Sequence, residues 1–454
     1  MVFCCLITSF IMVKFINPPH PLGIKPFGNA FLACSNSRYN LGALASLSDE
    51  LLLEICGFFS LTHLLHFGSL SKACYAFGSA EELWKNLVVR KAQSDCIWRG
   101  SWRKTALNMT DAEVAHIHID NFYSDILYRP YMNAFIDLSG LPRDDTIPRL
   151  SNLSQDEFST KWSNQPFILT EVVPKWSASH WDIDYLLEKH GDHIFRAECV
   201  DWKLRTYIDY LRNNQDESPL YLFDKGFVEK EGGTLGDDYQ SPYEVFGRDY
   251  FEILGADRPD YRWLIIGPAR SGSTFHKDPN GTSAWNAVIT GAKFWIMFPP
   301  NQTPPGVFVT PDEAEVTSPS SIAEWVSGFL PEARRTGCLE GVCHAGEILH
   351  VPSGWWHLVV NLSESIAITQ NFVPEAHLPK VLSFLKNKPD QISGFKDCKD
   401  AYEEFEKQLE HNFPEELARA KGKITASRGP KKHKWNQLRA SETSMSFSFG
   451  FADE

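Results

Sequence analysis

The chain comprises 454 residues, of which 43% are hydrophobic and 22% are charged. Because one hydrophobic core usually stops growing at about 250–300 residues, we expect one main domain with smaller attachments. The formal net charge of -13 disfavours a general attraction to nucleic acid phosphates, although it permits a local basic patch and a basic polypeptide partner.

Ten cysteines are scattered along the sequence. They lack the dense, even spacing of a small secreted disulfide scaffold, so we expect a reducing, intracellular compartment. Cys338, Cys343 and His344 resemble part of a zinc site. Because no second pair of ligands follows at the spacing of a zinc finger, we interpret these cysteines as structural or loop cysteines.

Residues 1 to 43 form a leader that we expect to be poorly ordered. Its apolar run, VFCCLITSFIMV, is shorter than the roughly 20 residues that span a bilayer. A signal peptide is one alternative, although no basic residue precedes the run. A start codon placed too early, with Met12 as the true first residue, is another.

Residues 44 to 92 are predicted to form short helices. Ser48 can cap a helix whose first turn carries Asp49 and Glu50. The stretch reads LASLSDELLLEICGFFSLTHLLHFGSLSKACYAFGSAEELWKNL and resembles an F-box over its full length, including the terminal pair Leu83 and Trp84. The resemblance implies docking on the Skp adaptor of cullin-RING ubiquitin ligases. The alternative is a small helical subdomain that packs on the core.

From about residue 125 to 380 the sequence is aromatic and β-branched. Alternating apolar runs are bounded by Gly, Pro, Asn or Ser: PFILTEVV, YRWLIIGP, AWNAVI, KFWIMFP, GEILHVP and ESIAITQNFV. They predict antiparallel strands in a sandwich or barrel, with an intervening helix over residues 180 to 190. Residues 301 to 345 are predicted to be loop-like, with a short amphipathic stretch at 321 to 330, and are interpreted as a lid or an insertion.

Beyond residue 380 the pattern is helical, and residues 391 to 454 are predicted to form C-terminal helices and a basic tail. Residues 421 to 440 carry seven Lys or Arg and no acidic residue. Such a tail is typical of a nuclear-import signal, a nucleic acid contact or a solvated end. We expect a nuclear or nucleocytoplasmic protein without membrane association, in which any contact with nucleic acid would be made through this tail.

The strongest chemical pattern lies in GSTFHKDPNGTSAWNAVITGAKFWIMFPP. Residues two apart on a strand project to the same face, so His276 and Asp278 can both point inward while Lys277 points away. A third candidate ligand, His357, begins the strand after the turn at residues 352 to 354. Two histidines and one carboxylate that leave coordination positions open are the arrangement of non-haem Fe(II) oxygenases. The sequence therefore predicts an iron site.

Further polar residues are predicted to face the same interior. Lys293 lies in a strand of Phe, Trp, Ile and Met, and because an unpaired buried ammonium is costly, an anionic carboxylate would account for it. Asn286 alternates inward on its strand, and Thr369 and Asn371 lie two apart on another. Together they outline a 2-oxoglutarate pocket. The alternatives are a lysine that snorkels to the surface and asparagines that satisfy strand edges.

Three motifs resemble the JmjC oxygenases of the arginine-demethylase and lysyl-hydroxylase group, once called the phosphatidylserine receptor. They are SPLYLFD, YRWLIIGPARSGSTFHKDPNGTSAWNAVITGAKFWIMFP and HVPSGWWHLVVNLSESIAITQNF. The resemblance implies a mainly β fold, in which a double-stranded β-helix (a cupin-like jelly roll) carries flanking helices beside the small all-α F-box. It implies N-terminal support from residues 125 to 225 and a JmjC core from residues 226 to 390.

The resemblance also implies roles for individual residues. Iron would be bound by His276, Asp278 and His357, and 2-oxoglutarate by Lys293, Asn286 and Thr369, with Tyr221 and Ser273 facing the same cosubstrate. Ser273 stands where relatives usually have Thr, which keeps the hydroxyl. The implied reaction consumes 2-oxoglutarate and O2, forms succinate and hydroxylates a C–H bond. On lysine it stops at hydroxylysine, whereas a hydroxylated N-methyl group is lost as formaldehyde.

The substrate is the feature that the resemblance transfers least. Residues 301 to 345 do not match the family, and the animal relative lacks an F-box, whereas plant and fungal members combine both modules. We expect a basic protein substrate with lysyl or methylated side chains, because an acidic protein attracts basic peptides. Two other hypotheses stay open: a non-catalytic substrate receptor of a ubiquitin ligase, and an enzyme that hydroxylates a modified RNA base.

Overall fold

The computed structural model describes residues 17 to 428, except residues 92–94, 139, 143–144, 231–234 and 397–399. The predicted apolar run at the N-terminus and residues 429 to 440 of the predicted basic tail lie outside the described residues. Within the described ranges, no helix combines the length and the apolar composition that crossing a bilayer requires.

Fifteen strands are assigned in the described part of the chain. They are β1 (Arg149–Leu150), β2 (Phe167–Leu169), β3 (Ile194–Ala197), β4 (Val200–Lys203), β5 (Leu222–Asp224), β6 (Arg262–Gly267), β7 (Gly272–His276), β8 (Ser283–Thr290), β9 (Ala292–Phe298), β10 (Phe308–Val309), β11 (Val316–Thr317), β12 (Leu339–His344), β13 (Ile348–Val351), β14 (Trp356–Asn361) and β15 (Ser365–Phe372).

The strands build two main sheets. A nine-stranded sheet has the order β1-β2-β13-β8-β15-β6-β5-β3-β4, and a four-stranded sheet has the order β12-β9-β14-β7. From β6 to β9, and again from β12 to β15, successive strands move between the two sheets, and every pairing among these eight strands is antiparallel. This arrangement matches the predicted cupin-like architecture with flanking helices. Strands β1 to β5 extend the same large sheet, so the predicted support and core share one sheet.

The central strands are buried on both faces. Every residue of β14 and β15 is buried, and so is every residue of β8 and β9 apart from one terminal residue each. One face of these strands turns to the interior and the other is covered by neighbouring elements, which explains their near-continuous apolar composition. Polar residues within such strands therefore require a specific partner.

Helices surround the sheets. They are α1 (Asp49–Gly57), α2 (Leu61–Leu70), α3 (Lys72–Gly78), α4 (Glu81–Arg90), α5 (Trp102–Leu107), α6 (Asp125–Asn133), α7 (Gln155–Glu157), α8 (Ile183–His190), α9 (Leu204–Asn213), α10 (Tyr243–Phe246), α11 (Ile322–Thr336), α12 (Leu378–Asn387), α13 (Ala401–Asn412) and α14 (Pro414–Arg428).

The predicted helical stretch from residue 44 to 92 contains α1 to α4. The side chains of Ser48, Ser60 and Ser71 accept hydrogen bonds from the first turns of α1, α2 and α3, which fixes where each helix begins. Trp84 is buried, and its indole N–H donates to the carbonyl oxygen of Gly78 at 2.8 Å. These helices share an apolar cluster with the segment around Trp102, which joins them to the larger sheet.

Two segments are more ordered than the sequence predicts. The expected leader contains the 3-10 helix Phe27–Leu32 and most of the 3-10 helix Ser37–Ser46, and its residues Ile24 and Leu41 are buried. The stretch from 301 to 345, predicted to be loop-like, contains the 15-residue helix α11 and the strand β12. Burial of Trp325 and Leu330 against the small sheet stabilises α11 even though Pro331 lies within it.

Candidate active site

His276, Asp278 and His357 lie together at one end of the small sheet. His276 ends β7, and it is the direct register partner of His357 on β14. Asp278 follows in a turn where Asn280 adopts a left-handed conformation with φ of 58°. One potential ligand atom from each of the three residues lies within 4.8 Å of the others. The structure thus brings together all three residues of the predicted metal triad.

Hydrogen bonds orient both imidazole rings. Nδ1 of His276 lies 2.8 Å from the carbonyl oxygen of Thr274, and Nδ1 of His357 lies 3.1 Å from that of Trp355. A carbonyl oxygen only accepts, so each Nδ1 carries the proton and each Nε2 has a free lone pair. Burial lowers the pKa of His357 to about 4 and also lowers that of His276, so both rings are neutral near pH 7. Neutral imidazoles with free Nε2 atoms are competent metal ligands.

The Asp278 carboxylate lacks the partners that its burial requires. Burial raises its pKa, against the opposing influence of His276, and its Oδ2 accepts no hydrogen bond within the described residues. The nearest carboxylate-to-imidazole approach joins Oδ1 and Nε2 of His357 at 4.0 Å. A divalent cation would supply the missing interaction, so the donor set fits a metal with nitrogen and oxygen ligands.

Lys293 lies in the interior on β9, the strand that pairs with β14 and thus with the strand of His357. It is fully buried on β9, and its Nζ donates to Tyr221 Oη at 2.6 Å and to Asn361 Oδ1 at 2.8 Å. Burial lowers the pKa of Lys293 to about 7. Both partners are neutral, so a bound carboxylate would compensate the ammonium charge and hold it protonated. The predicted pairing of Lys293 with an anionic ligand therefore fits its surroundings.

The other residues of the predicted 2-oxoglutarate pocket differ in their hydrogen bonds and in their access to a cavity. Asn286 and Thr369 are register partners on β8 and β15, and Asn286 Oδ1 is buried without a partner in the described part of the chain. Thr369 donates its hydroxyl proton to the carbonyl oxygen of Trp285 at 2.9 Å. Ser273 lines a cavity of about 400 Å³ that also reaches His276. Asn371 is buried, and its amide donates to Thr282 Oγ1 at 3.1 Å, so its side chain already has a structural partner.

Asn361 is a site residue that the sequence prediction missed. It is fully buried, accepts from Lys293, and donates to Ser271 Oγ at 2.9 Å. It lies on β14, four residues after His357, so the two-residue alternation of a strand places both side chains on one face. The same alternation that predicted Asp278 beside His276 would have found Asn361.

The chain is similar to several characterised proteins. A family model described as a cupin-like domain matches residues 156–377. The arginine-specific demethylase JMJ22 of Arabidopsis thaliana is 41% identical over 88% of this chain and 83% of that protein. The bifunctional arginine demethylase and lysyl-hydroxylase psr-1 of Caenorhabditis briggsae is 36% identical over 52% of this chain and 64% of its own length. The 2-oxoglutarate and iron-dependent oxygenase JMJD4 of Gallus gallus is 27% identical over 57% of this chain and 64% of its own length.

Proposed function

The chain belongs to the JmjC family of iron- and 2-oxoglutarate-dependent oxygenases, and on that premise we propose that it hydroxylates or demethylates basic side chains of proteins. We propose that His276, Asp278 and His357 hold Fe(II) and that Lys293, Asn286, Thr369, Tyr221 and Ser273 form the 2-oxoglutarate pocket. The observation that carries this proposal is a buried lysine whose hydrogen-bond partners among the described residues are both neutral, together with two neutral histidines and an under-coordinated carboxylate.

The role of the protein residues is to bind and orient the metal and the cosubstrate and to exclude water from them. The bound iron supplies oxidative chemistry in which 2-oxoglutarate and O2 give succinate and CO2 while one oxygen atom enters a substrate C–H bond. The ammonium of Lys293 pairs with a carboxylate of the cosubstrate, and Asn361 and Tyr221 hold that ammonium in place. The carbonyl oxygens of Thr274 and Trp355 fix the imidazole tautomers, which keeps each Nε2 directed at the metal.

Basic substrates are supported by the relatives and by charge. The names of JMJ22 and psr-1 refer to arginine demethylation and, for psr-1, also to lysyl hydroxylation. The net charge of -13 favours encounters with basic polypeptides. Hydroxylation of a lysyl carbon gives a stable product, whereas hydroxylation of an N-methyl group releases formaldehyde. Both outcomes use the same pocket.

The test combines purified protein, Fe(II) and 2-oxoglutarate with histone-tail and splicing-factor peptides that contain lysine or methylarginine. We expect succinate formation together with the gain of one oxygen atom or the loss of one methyl group, detected by mass spectrometry. The His276→Ala variant should form neither product, and His344→Ala, a change at an exposed histidine, should behave as the wild type. Succinate at the level of the His276→Ala variant, with iron bound to the wild type, would reject the enzymatic proposal.

A second function is supported by the exposed apolar surface of α1 and the residue that follows it. We propose that residues 44 to 92 act as an F-box that binds a Skp adaptor and thereby a cullin-RING ligase. Leu51, Ile55 and Phe58 are 48%, 41% and 82% exposed, which is unusual for large apolar side chains so close together in sequence. Co-purification with recombinant Skp adaptor should be lost in a Leu51→Asp, Phe58→Asp double variant and retained in His276→Ala. Equal recovery with both variants would reject the F-box assignment.

We also propose a nuclear or nucleocytoplasmic location. The support is the group of seven basic residues between 421 and 440, a composition typical of import signals. A fluorescent fusion of the full chain should accumulate in nuclei, and neutralising these seven residues should redistribute it to the cytoplasm. Unchanged nuclear accumulation would show that the tail does not direct import. Neutralising the tail also tests RNA binding, which should weaken if this segment contacts nucleic acid.

A further inference from the structure

The entrance to the candidate active site carries one carboxylate. The cavity of about 400 Å³ that reaches His276 is lined by Ser273, Thr274, Arg270 and Glu198, among others. Most of the lining side chains are hydroxyls or small residues, so the two charged groups dominate its electrostatics. Whether Arg270 or Glu198 can pair with a ligand depends on the partners that each already has in the protein.

Arg270 is already engaged. Its Nη1 donates to the carbonyl oxygen of Asp216 at 2.7 Å, and the nearby Asp216 carboxylate offsets its positive charge. Burial lowers the pKa of Arg270, which nevertheless stays charged because an arginine pKa begins so high. The Arg270 guanidinium therefore lines the cavity, but the Asp216 carboxylate offsets part of its positive charge.

Glu198 is less constrained. Its Oε1 accepts from the backbone N–H of Tyr221 at 3.2 Å, and within the described residues no lysine or arginine forms an ion pair with its carboxylate. Burial raises its pKa, while the more distant ammonium of Lys85 on α4 lowers it and Asp216 raises it. One carboxylate oxygen is thus anchored and the other is available to a ligand in the cavity.

The backbone at Glu198 is held in an unusual conformation. Glu198 and Cys199 connect β3 to β4, and Glu198 has a φ of 48°, a left-handed value that glycine or asparagine adopts more readily. A glutamate in this conformation is strained, because its Cβ lies close to the following carbonyl oxygen. The hairpin therefore retains a strained glutamate whose side chain lies at the cavity instead of a relaxed glycine.

We propose that Glu198 is a specificity-determining residue that pairs with the cationic group of the substrate side chain in this entrance. The anchoring bond to Tyr221 gives this role a structural basis, because the side chain of the same tyrosine contacts Lys293. One residue thus links the substrate entrance to the predicted cosubstrate pocket. The inference rests on the proposed function, since it takes the cavity as the route by which a protein side chain reaches the metal.

The test measures binding, so that it is independent of turnover. Peptides identical except for one central residue, which is lysine, uncharged norleucine or glutamate, are titrated by fluorescence anisotropy into full-length protein loaded with Mn(II) and 2-oxoglutarate. We expect the wild type to prefer the lysine peptide by roughly tenfold, as a charge-assisted pair at a partly exposed site provides. Glu198→Gln should reduce that preference to about twofold or less. Glu198→Lys should favour a glutamate peptide over the lysine peptide.

The matched control is Asp201→Asn. Asp201 lies on the same hairpin but pairs with Arg196 at 2.7 Å, and its side chain is 58% exposed. This variant should keep the wild-type preference for lysine. An unchanged preference in Glu198→Gln, or an equal loss of affinity for both peptides, would overturn the assignment. Failure of the proposed function looks different, because the wild type would then form no succinate with any peptide whatever its binding preference.

Discussion

Lys293 and Asn361 are direct register partners on β9 and β14, and a hydrogen bond of 2.8 Å joins their side chains across the interior. Asn361 shares β14 with His357, so one strand supplies both a candidate metal ligand and a partner for the buried ammonium. This pairing fixes the position of Lys293 relative to the triad. A charge introduced at residue 361 should therefore change the affinity for 2-oxoglutarate.

Replacing Asn361 by aspartate should therefore weaken 2-oxoglutarate binding more than replacing it by alanine. In Asn361→Asp a fixed carboxylate competes with the cosubstrate for the ammonium, whereas Asn361→Ala removes one neutral acceptor of the ammonium and the donor to Ser271 without adding a charge. We expect the KM for 2-oxoglutarate to rise at least tenfold in the aspartate variant and a few-fold in the alanine variant, an order-of-magnitude expectation for a buried charge pair. Succinate assays over a range of 2-oxoglutarate concentrations give both values. A larger effect of alanine would contradict this account.

Replacing Lys293 by methionine should separate stability from function. Methionine keeps much of the side-chain volume and removes a buried ammonium, so Tm should be unchanged or higher, while 2-oxoglutarate binding should fall by about two orders of magnitude or more. Differential scanning fluorimetry and isothermal titration of 2-oxoglutarate measure the two effects. A marked fall in Tm would show that Lys293 stabilises the unliganded fold through its bonds to Tyr221 and Asn361.

The same lysine predicts a pH dependence. Its pKa is about 7 in the folded protein, below the ordinary lysine value, so the folded state binds fewer protons than the unfolded state between pH 7 and about 10. Stability should therefore increase over that range through this group, and Lys293→Met should lack the increment. Affinity for 2-oxoglutarate should fall as the pH rises above 7, because binding then requires protonation of Lys293. Chemical denaturation and ligand titration at pH 7 and pH 9 provide the comparison.

Metal binding should stabilise the fold through the triad. Adding Mn(II) at one hundred times its Kd should raise the free energy of unfolding by about 2.7 kcal/mol, and chelation should reverse the gain. Asp278→Ala should abolish the response, while His344→Ala should retain it. A wild-type Tm that does not respond to Mn(II), Fe(II) or Co(II) would contradict the assignment of these three residues as metal ligands.

The junction between the N-terminal helices and the larger sheet depends on Trp102. Its side chain is 1% exposed, its indole N–H donates to both carboxylate oxygens of Asp216, and its ring packs 5.1 Å from that of Trp98. Trp102→Ala should lower the free energy of unfolding by about 3–5 kcal/mol, the usual cost of replacing a buried tryptophan by alanine. Phe308→Ala, at a residue 72% exposed, should change it by less than about 0.5 kcal/mol. Urea denaturation compares the two.

The metal triad and Lys293 could be predicted because local periodicity decides which way they point. Alternation along a strand needs no knowledge of the fold, so it placed His276 and Asp278 together and identified Lys293 as a charge among apolar neighbours. Asn361 follows from the same rule applied two and four residues after His357. Asn371 shows the limit of the rule, since an inward direction does not reveal that Thr282 occupies its amide.

Features that depend on tertiary contacts could not be predicted from local sequence patterns. The prolines and serines between residues 301 and 345 predicted a loop, yet burial of Trp325 makes a helix favourable there, and β12 finds its pairing partner in β9. Glu198 carries no local pattern at all, because its position over the cavity depends on how the β3–β4 hairpin joins β5. Likewise, order around Ile24 and Leu41 comes from contacts with distant residues and not from helix propensity.

The pairing of His276 with His357 also has a consequence for biosynthesis. A ribosome exposes β7 and Asp278 long before it has synthesised β14, so the emerging chain carries two metal ligands without the third. The central strands β8 and β15 face the same delay, since each pairs with a partner distant in sequence, and such non-local pairing is slow. The three ligands therefore meet only after β14 has been synthesised, and the complete triad is available to iron only from that point.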